Sequence, residues 1–591
     1  MKRFDNRLEL FALILFCILG GLALRLGYLQ IIKGDDYAKL ADGNRIRLIS
    51  VNAPRGLILD RNNEVLVSNR AGFSVFIVPF KGPIDRKVVK LLSELLDISY
   101  ESLDKKIKQN EGRVDPILVK ADLTPEMIAK VEERRGALPG VVIEAQAVRD
   151  YPNKEIAAHM LGYISEINEE TLKKRKELDY RSGDLIGQSG LEKFYDTELR
   201  GERGGSQIEV DVTGRPINVL GKKNPTPGLN LKLTVDAKLQ KAMEEAVDNH
   251  LKYLKMTGVE TQAVAAVALD PRNGKILGMV SRPVFNPNFF ATGISQKEWD
   301  KLRNNPFDPM TNKVISGEYP PGSPFKVVAG LAALEEKKVT PEEKYFDGGN
   351  HPLAKEKGNA GGAALGWIDL RRAIQKSDNV FFYEMGYRLG INTISKYARM
   401  FGMGEKTGVD LAGESDGLVA SREYKKKALG NDEWYIVETM DATIGQGFQL
   451  SSPIQMAQMI SMIANGGVKY KPYLVEQLTD NDGNIVKQIE PQIIEKYQFS
   501  QANLNFIREA MYSTTIEDGN AVGILGDFPR KIGAKTGTSE NSHGRDHSWF
   551  VAYGPHENPE IVVVVLVEQG GYGAVAAGPI ARKVLNSYFG L

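Results

Sequence analysis

The sequence predicts an α+β protein in three parts: an N-terminal transmembrane helix, an extended domain of mixed strands and helices, and a larger domain with an antiparallel sheet flanked by helices. Three observations predict this. A charge-free apolar run lies near the N-terminus, a β-branched run lies near the C-terminus, and a segment rich in Gly, Pro, Asn and Lys separates the middle part from the last one. We place the three parts at residues 1–32, 33–225 and 226–591.

The composition indicates folded globular domains and argues against two classes of protein. Of the 591 residues, 42% are hydrophobic and 26% are charged, as in ordinary globular proteins. The 76 Lys and Arg residues are balanced by 75 Asp and Glu residues, so the chain lacks the basic surplus typical of a nucleic-acid-binding protein. Cys17 is the only cysteine, which excludes an intrachain disulfide and a cysteine-rich zinc module.

The N-terminal apolar run is long enough to span a membrane. Residues 10–24 carry no charge, and the apolar character continues past Arg25 to Ile32. A membrane-spanning helix needs about 20 residues. Because Arg25 lies near one end of the run, its long side chain can carry the guanidinium to the membrane interface.

The flanking residues predict the orientation of this helix. Lys2, Arg3 and Arg7 precede the apolar run, and the positive-inside bias therefore predicts a cytoplasmic N-terminus and an exported remainder. A cleaved secretion signal is the alternative. Its small-residue pattern, at residues 21–23, lies inside the apolar run with no polar segment before it. We therefore expect an uncleaved single-pass anchor.

The exported part begins with a mixed region and a predicted linker. The charged residues 169–184 predict a solvated helix face, and the Gly- and Pro-rich residues 220–230 predict the linker between domains. Residues 231–251 then predict a short strand followed by an amphipathic helix.

A sheet is predicted in the last part. Residues 263–269 and 275–281 predict a strand pair, because the turn between them contains Pro271 and Asn273-Gly274. Residues 561–569 are a β-branched run typical of a buried strand. Strands at both ends of a helix-rich stretch predict one sheet built from distant parts of the sequence.

The first motif that carries chemistry is Ser323-Pro324-Phe325-Lys326, at the start of a predicted helix. Residues three apart on a helix lie one above the other, so Lys326 can reach the Ser323 hydroxyl. A serine hydroxyl is a weak nucleophile until a base removes its proton, and a neutral lysine can be that base. Taken alone, the motif is also typical of a helix cap with a solvated lysine.

The second motif is Ser377-Asp378-Asn379, which follows a predicted helix over residues 369–376. On an extended turn, Ser377 and Asn379 project to the same side. The hydroxyl can relay a proton, and the amide can donate to a substrate carbonyl. The alternative is that these residues only terminate the helix and build a turn.

The third motif is Lys535-Thr536-Gly537-Thr538, on a predicted strand. A cation followed by two hydroxyls suits a substrate carboxylate, and a glycine within a strand often marks close approach of another backbone or a ligand. The backbone N–H groups of Ser323 and Thr538 would hold a tetrahedral oxyanion if the fold brings them together. A surface turn is the alternative.

Together the three motifs form the signature of class A β-lactamases and penicillin-binding proteins. The chain resembles the class B penicillin-binding proteins, which are single-pass peptidoglycan transpeptidases, from about residue 8 to 585. Residues 44–62 resemble the elongation-type subgroup, penicillin-binding protein 2, more than the division-type enzyme. The segments outside the motifs that carry the resemblance are 53–69, 151–164, 187–205, 268–288, 444–467 and 547–555.

The resemblance implies a penicillin-binding transpeptidase domain at residues 226–591 and an acyl-transfer cycle between stem peptides of peptidoglycan. Ser323 would attack the carbonyl of a terminal D-Ala-D-Ala pair, and Lys326 would take its proton. Ser377 would relay the proton to the leaving D-alanine, and Asn379 would hold the donor amide.

The third motif would bind the substrate. Lys535 would bind carboxylate and lower the pKa of Lys326 by repulsion between cations. Thr536 and Thr538, on either side of Gly537, would hold the carboxylate of a substrate or a β-lactam. An amine of a neighbouring stem peptide would then resolve the acyl-enzyme into a crosslink.

The resemblance also implies partners and a location. Residues 33–225 would form a pedestal domain of the dimerisation type that holds the catalytic domain on the periplasmic side of the inner membrane. Since that region shows no second acidic catalytic cluster, a glycan polymerase of the SEDS class would supply the polymer, together with an elongation scaffold.

We expect no cofactor. Some elongation-type members carry a metal-binding cluster before the second motif, and Asp347 and His351 are present here, but the chain has no cysteine outside the anchor, so we expect no metal.

Two other functions stay open at this stage. A D,D-carboxypeptidase or β-lactamase on the same scaffold would need a base that activates water to hydrolyse the acyl-enzyme. No motif in the sequence indicates such a base. A β-lactam sensor would be expected to carry a cytoplasmic output domain, and an inactive scaffold would not need all three motifs.

Overall fold

The computed structural model describes residues 2–34, 46–78, 84–110, 116–210, 216–431 and 433–591. The chain forms two compact units, each assembled from several segments. The first unit comprises Met1–Pro54, Gly72–Gln146 and Gly201–Pro227. The second comprises Arg55–Ala71, Ala147–Arg200 and Gly228–Leu591.

This division differs from the predicted one, in which a single boundary separates a middle domain from a last domain. The last crossing between the units, after Pro227, lies close to the boundary predicted at residue 225. Two segments of the predicted middle domain, Arg55–Ala71 and Ala147–Arg200, nevertheless belong to the unit that contains the C-terminal part. The physical reason is long-range strand pairing, such as that of Ile58 with Leu231.

The N-terminal apolar run is helical. An α-helix, Lys2–Gly27, continues as a π-helical turn, Tyr28–Ile32. Leu10–Ile32 is 23 residues long with a mean hydropathy of 2.3, and none of it is buried in the protein. It is the one helix in the described part of the chain that is long and apolar enough to cross a membrane.

The first unit has its own apolar core. Its helices, with side chains such as Leu92 and Val131, pack with the strands that contain Val75 and Val119. Three other strands of this unit form a separate sheet. The helices are Arg86–Leu96, Tyr100–Gln109 and Pro125–Glu133. The strands are Ile46–Val51, Ile117–Lys120, Gly204–Val210, Pro216–Lys223 and parts of Val65–Ile77 and Val141–Asp150.

A five-stranded antiparallel sheet forms the centre of the second unit. Val264–Leu269 pairs with Ile276–Arg282 on one side and with Ile561–Val567 on the other. His547–Gly554 and Gly533–Ser539 complete the sheet, with Gly533–Ser539 at one edge. The predicted strand pair and the predicted joining of strands from both ends of the domain are confirmed.

Alternate residues of these strands face two separate cores, because successive side chains of a strand point to opposite faces. On one face, Ala266 and Val563 pack with two long helices, Ala237–Met256 and Gly578–Phe589. On the other face, residues such as Val267 belong to the larger core that includes the helices of the first and second motifs. Both faces are therefore covered, which explains why the strands are apolar without alternation.

The second unit contains further helices and strands outside this sheet. The α-helices are Ala158–Leu161, Glu169–Lys174, Gly190–Phe194, Asp196–Arg200, Asn288–Ala291, Gln296–Arg303, Lys313–Ser316, Lys326–Glu335, Leu370–Lys376, Asn379–Met400, Arg422–Leu429, Ile436–Thr443, Pro453–Ala464, Gln501–Ser513, Val522–Leu525 and Gly573–Ala576. The strands are Ile58–Leu59, Ile164–Glu166, Leu185–Gly187, Asn230–Leu233, Tyr345–Asp347, Asn350–His351, Ala354–Gly358, Gly366–Ile368, Val468–Tyr470, Val475–Thr479, Ile485–Gln488 and Ile493–Lys496.

The predicted linker at residues 220–230 is wrong in part. The strand Pro216–Lys223 extends into it and the strand Asn230–Leu233 begins at its end. Glu202 and Thr226 also exchange backbone hydrogen bonds of 2.8 and 2.9 Å. Backbone pairing therefore overrides the turn-forming composition of this segment.

A buried ion cluster lies in the second unit, among residues from its first two segments. Arg55 contacts Glu192 at 2.8 Å and Asp196 at 3.0 Å, and Arg149 contacts Glu192 at 2.6 Å. Glu192 has no exposed surface and Asp196 is 1% exposed. Tyr180 also donates to Asp196. We call Arg55, Arg149, Glu192 and Asp196 the ion cluster.

Candidate active site

The first motif lies on a short 3₁₀ turn, Ser323–Phe325, that leads directly into the helix Lys326–Glu335. Gly322 precedes the turn with a φ of +60°, in the left-handed region that favours glycine. Its N–H donates to Gly445 O at 2.9 Å. Ser323 is half-buried, whereas Lys326 is fully buried. The serine is therefore accessible, and the lysine amine lies in the interior one turn away.

The second motif forms the turn between two helices. Ser377 ends the helix Leu370–Lys376 in a left-handed conformation with a φ of +60°. Asp378 then begins the helix Asn379–Met400, because its side chain accepts a hydrogen bond of 2.7 Å from Phe381 N. This is the capping geometry that an aspartate supplies at a helix start.

This turn brings the second motif onto both lysines of the other motifs. Lys326 Nζ donates to Ser377 O at 2.8 Å and to Asn379 Oδ1 at 2.6 Å. Lys535 Nζ donates to the Ser377 hydroxyl at 2.7 Å. Ser377 therefore lies between the two amines, with its carbonyl on one and its hydroxyl on the other.

The third motif lies on the strand Gly533–Ser539, which pairs with His547–Gly554 and forms an edge of the five-stranded sheet. Lys535 is 1% exposed and also donates to Thr536 O at 3.1 Å. Thr536 and Thr538 are half-buried. Because side chains alternate along a strand, these two hydroxyls share one face.

The edge strand lies directly against the turn of the first motif. A Cβ atom on Gly537 would lie 2.6 Å from Pro324 Cδ, so only a glycine fits there. A Cβ atom on Gly322 would lie 3.1 Å from Thr538 O. The first and third motifs, far apart in sequence, are therefore in contact.

Burial dominates the electrostatics of the two lysines. It lowers the pKa of Lys326 well below the ordinary lysine range, and the carboxylate of Asp378 opposes this shift. Burial also lowers the pKa of Lys535, and repulsion by Lys326 lowers it further. The pKa of Asp378 is raised by burial and by its contact with Asp347. Lys326 can therefore lose its proton more easily than an ordinary lysine, and a general base requires this neutral amine.

Two details differ from the sequence-based expectation. The hydrogen bonds of Lys326 Nζ go to the second motif, and none within the described residues joins it to the Ser323 hydroxyl. The main cause of the lowered pKa of Lys326 is burial, and it is the pKa of Lys535 that repulsion between the lysines lowers.

Asp347 and His351 have protein partners. Asp347 is fully buried and accepts from Gly349 N at 2.7 Å and Leu365 N at 2.8 Å. His351 Nε2 lies 3.3 Å from Glu384 Oε2. Among the described residues, no group of three or more His, Cys, Asp or Glu side chains could hold a metal ion.

The sequence motifs did not identify two residues that contact the second motif. Asn359 Oδ1 accepts from Asn379 N at 2.7 Å, and Gly358 O accepts from Asn379 Nδ2 at 3.1 Å. Both residues lie outside the three motifs, and no local pattern around them indicates a contact with Asn379. Only the fold reveals it.

Comparisons with known proteins agree with this architecture. Two family models match: the penicillin binding protein transpeptidase domain over residues 264–586, and the penicillin-binding protein dimerisation domain over residues 50–233. The peptidoglycan D,D-transpeptidase MrdA of Escherichia coli (strain K12) is 31% identical, over 96% of this chain and 91% of its own.

Solved structures give the same result. The complex between penicillin-binding protein PBP2 and MreC from Helicobacter pylori contains a chain with a TM-score of 0.79 and 27% identity, over 92% of this chain and 99% of its own. A chain from a peptidoglycan synthase complex that coordinates polymerization and crosslinking has a TM-score of 0.72 and 31% identity, over 99% of this chain and 98% of its own. The chain therefore belongs to the elongation-type class B penicillin-binding proteins, which join a dimerisation-type domain to a transpeptidase domain.

Proposed function

We propose that this protein is a serine-type peptidoglycan D,D-transpeptidase, which crosslinks stem peptides during cell-wall elongation and is acylated by β-lactams. One observation carries the proposal. A fully buried lysine with a lowered pKa lies one helical turn from a half-buried serine, and its amine donates to the second motif, which the third motif contacts through Lys535. The names of the relatives agree with this activity.

In the acylation step, Ser323 Oγ attacks the carbonyl carbon of the terminal D-Ala-D-Ala bond. Its proton passes to the neutral amine of Lys326, and the backbone N–H groups of Ser323 and Thr538 stabilise the oxyanion that develops. When the C–N bond breaks, the leaving D-alanine amine takes a proton through the hydroxyl of Ser377. The product is an ester between Ser323 and the donor stem peptide.

The contacts of Ser377 support this relay. Its hydroxyl accepts from Lys535 Nζ and its carbonyl accepts from Lys326 Nζ, so it links the two amines. Asn379 holds the donor amide. In the second half of the cycle, the amine of a neighbouring stem peptide attacks the ester, returns the proton to the Ser323 oxygen and forms the crosslink.

The edge strand binds the donor peptide. Thr536 and Thr538 present their hydroxyls on one face, and they hold the carboxylate of a substrate or a β-lactam. A carboxylate that arrives beside Lys535 favours the charged form of this amine, because opposite charge stabilises the ammonium ion. Gly537 keeps this part of the strand free of a side chain, where Pro324 already lies in contact.

The apolar helix and the relatives support a proposal for the location and the partners. Leu10–Ile32 anchors the protein in the inner membrane as a single span, with the basic N-terminus in the cytoplasm and the catalytic domain in the periplasm. A scaffold protein and a SEDS-type glycan polymerase act with it, since one relative is solved with MreC and another in a peptidoglycan synthase complex.

Mass spectrometry of the intact protein after exposure to benzylpenicillin tests the activity. We expect one adduct, mapped to the peptide that contains Ser323, and no adduct on the Ser323→Ala variant. Paired donor and acceptor stem peptides should yield crosslinked dimer. An adduct that is released within minutes would instead indicate a hydrolase, and an adduct without any crosslinked product would indicate a sensor or scaffold.

A further inference from the structure

A segment between the first and second motifs contacts the active site from outside all three motifs. Residues 345–359, which we call the clamp segment, contain three short strands. Ala354–Gly358 pairs with Asn350–His351, and Asn359 follows directly after it. Asn359 is half-buried.

Asn359 binds the start of the helix Asn379–Met400. The first N–H groups of a helix have no partner inside the helix. Asp378 accepts from one of them, and Asn359 Oδ1 accepts from two others, Asn379 N at 2.7 Å and Val380 N at 3.4 Å. Two side chains from separate segments therefore share the capping of this helix.

The neighbouring residue orients the amide of Asn379. A side-chain amide has one acceptor oxygen and one donor nitrogen. Asn379 Nδ2 donates to Gly358 O at 3.1 Å, which leaves Asn379 Oδ1 to accept from Lys326 Nζ at 2.6 Å. Gly358 and Asn359 together hold both the backbone and the side chain of Asn379.

Asn359 is itself held in place. Its Nδ2 donates to Asp347 Oδ2 at 2.8 Å and to Ala363 O at 2.9 Å, and it lies 3.5 Å from Asp378 Oδ2. Asp347 is fully buried. A neutral amide at position 359 therefore donates between two carboxyl groups while its oxygen accepts from the helix.

We propose that Asn359 is a positioning residue of the active site: it fixes Asn379, and through Asn379 it fixes the amine of Lys326 relative to Ser323. The inference rests on the proposed function, because it assigns Asn359 to the acylation step. It reaches beyond the three motifs, since Asn359 touches no reacting atom and acts through Asn379.

The test compares rate constants for acylation by a fluorescent penicillin, measured on the full-length protein in detergent and normalised to the folded fraction. We expect Asn359→Ala to lower the rate constant by about 10- to 100-fold, because small displacements of catalytic groups have effects of that size. Asn465→Ala is the matched control. Asn465 makes three hydrogen bonds to the backbone, to Pro271 O, Val468 O and Val468 N, and lies outside the site.

Asn359→Asp separates positioning from a general structural role. A protonated aspartic acid keeps an acceptor oxygen and a donor, as asparagine does, whereas a carboxylate would face Asp347 and Asp378 with like charge. The groups that face this position are those two carboxyls and, beyond Asn379, the Lys326 amine. The ratio of variant to wild-type rate constants should therefore rise as pH falls for Asn359→Asp and stay flat for Asn359→Ala.

Two results would overturn the proposal: a rate constant for Asn359→Ala within about twofold of that for Asn465→Ala, or a ratio for Asn359→Asp that does not change with pH. If Asn359→Ala does not fold, the Asn359→Asp profile decides. Failure of the wild-type protein to label at Ser323 would overturn the proposed function as well. Normal labelling with unchanged Asn359 variants would overturn only this inference.

Discussion

The ion cluster and the active site both bury two cations, but with opposite surroundings. In the ion cluster, Arg55 and Arg149 meet the carboxylates of Glu192 and Asp196 at 2.6 to 3.0 Å. In the active site, Lys326 and Lys535 give their hydrogen bonds to carbonyl, amide and hydroxyl oxygens. Burial is similar in the two places, so the difference lies in the charge of the partners.

The pKa values show what this difference does. Burial acts to lower the pKa of Arg55, but Glu192 and Asp196 outweigh it and raise the pKa. Burial acts to raise the pKa of Glu192, and the two arginines outweigh it in the opposite direction. At Lys326 the burial effect prevails. Paired burial therefore yields permanent charges that depend on their partners, and burial without a carboxylate in hydrogen-bond contact yields an amine that can lose its proton.

Lys326→Met should have the largest effect and should act on activity alone. The variant loses the amine that we propose as the general base, so acylation by benzylpenicillin should slow by at least about 10²- to 10⁴-fold. The thermal midpoint should change little, because the cost of burying the amine disappears while its hydrogen bonds to Ser377 O and Asn379 Oδ1 are lost. Stopped-flow acylation and thermal unfolding of the full-length protein check both expectations. Lys338→Met, at an exposed lysine after the same helix, is the control. A large loss of stability in Lys326→Met would contradict the comparison.

Glu192→Gln should have the opposite effect, a loss of stability without a loss of activity. Removal of one partner leaves buried arginine charge without compensation, and such a change destabilises a protein by about 3–5 kcal/mol. The acylation rate constant of the folded fraction should not change. Denaturant unfolding measures the loss. The control is Glu170→Gln, at an exposed ion pair with Lys174, which should leave stability unchanged. Equal shifts in the two variants would show that the ion cluster does not stabilise the fold.

Asp378→Asn should have the smallest effect, a shift in the pH profile. Neutral Lys326 accumulates as pH rises through its pKa, which gives acylation an acid limb. Since the Asp378 carboxylate raises the pKa of Lys326, its removal should move the limb to lower pH, while asparagine keeps the helix cap. Asp369→Asn is the control, because Asp369 caps the helix Leu370–Lys376 in the same way. A shift to higher pH, or equal profiles in the two variants, would contradict the assigned charge effect.

The sequence predicted the local structures well. The apolar helix, the strand pair at 263–281 and the buried strand near the C-terminus are all present, because each depends on patterns within a short window. The three motifs were found in the same way. In the structure, Lys535 Nζ donates to the Ser377 hydroxyl across 158 positions of sequence.

The sequence could not predict contacts that join distant positions without a shared pattern. The ion cluster unites Arg55 and Arg149 with Glu192 and Asp196, and nothing near any one of them indicates its partners. The assembly of the second unit from separate segments of the chain depends on pairing such as that of Ile58 with Leu231. Sequence analysis missed Asn359 for the same reason, because only the fold brings its side chain to the N–H groups of Asn379 and Val380.

The central sheet also has a consequence for how the protein folds. Its middle strand, Ile561–Val567, pairs with Val264–Leu269, and nearly the whole catalytic domain lies between them in sequence. Contacts of such high sequence separation form slowly, because a long loop must close first. The sheet cannot be completed until this late, uncharged and β-branched strand has been synthesised, and until then its partner strand has an open edge that favours aggregation. Chaperone capacity during synthesis should therefore limit the yield of this protein more than the thermodynamic stability of its finished fold.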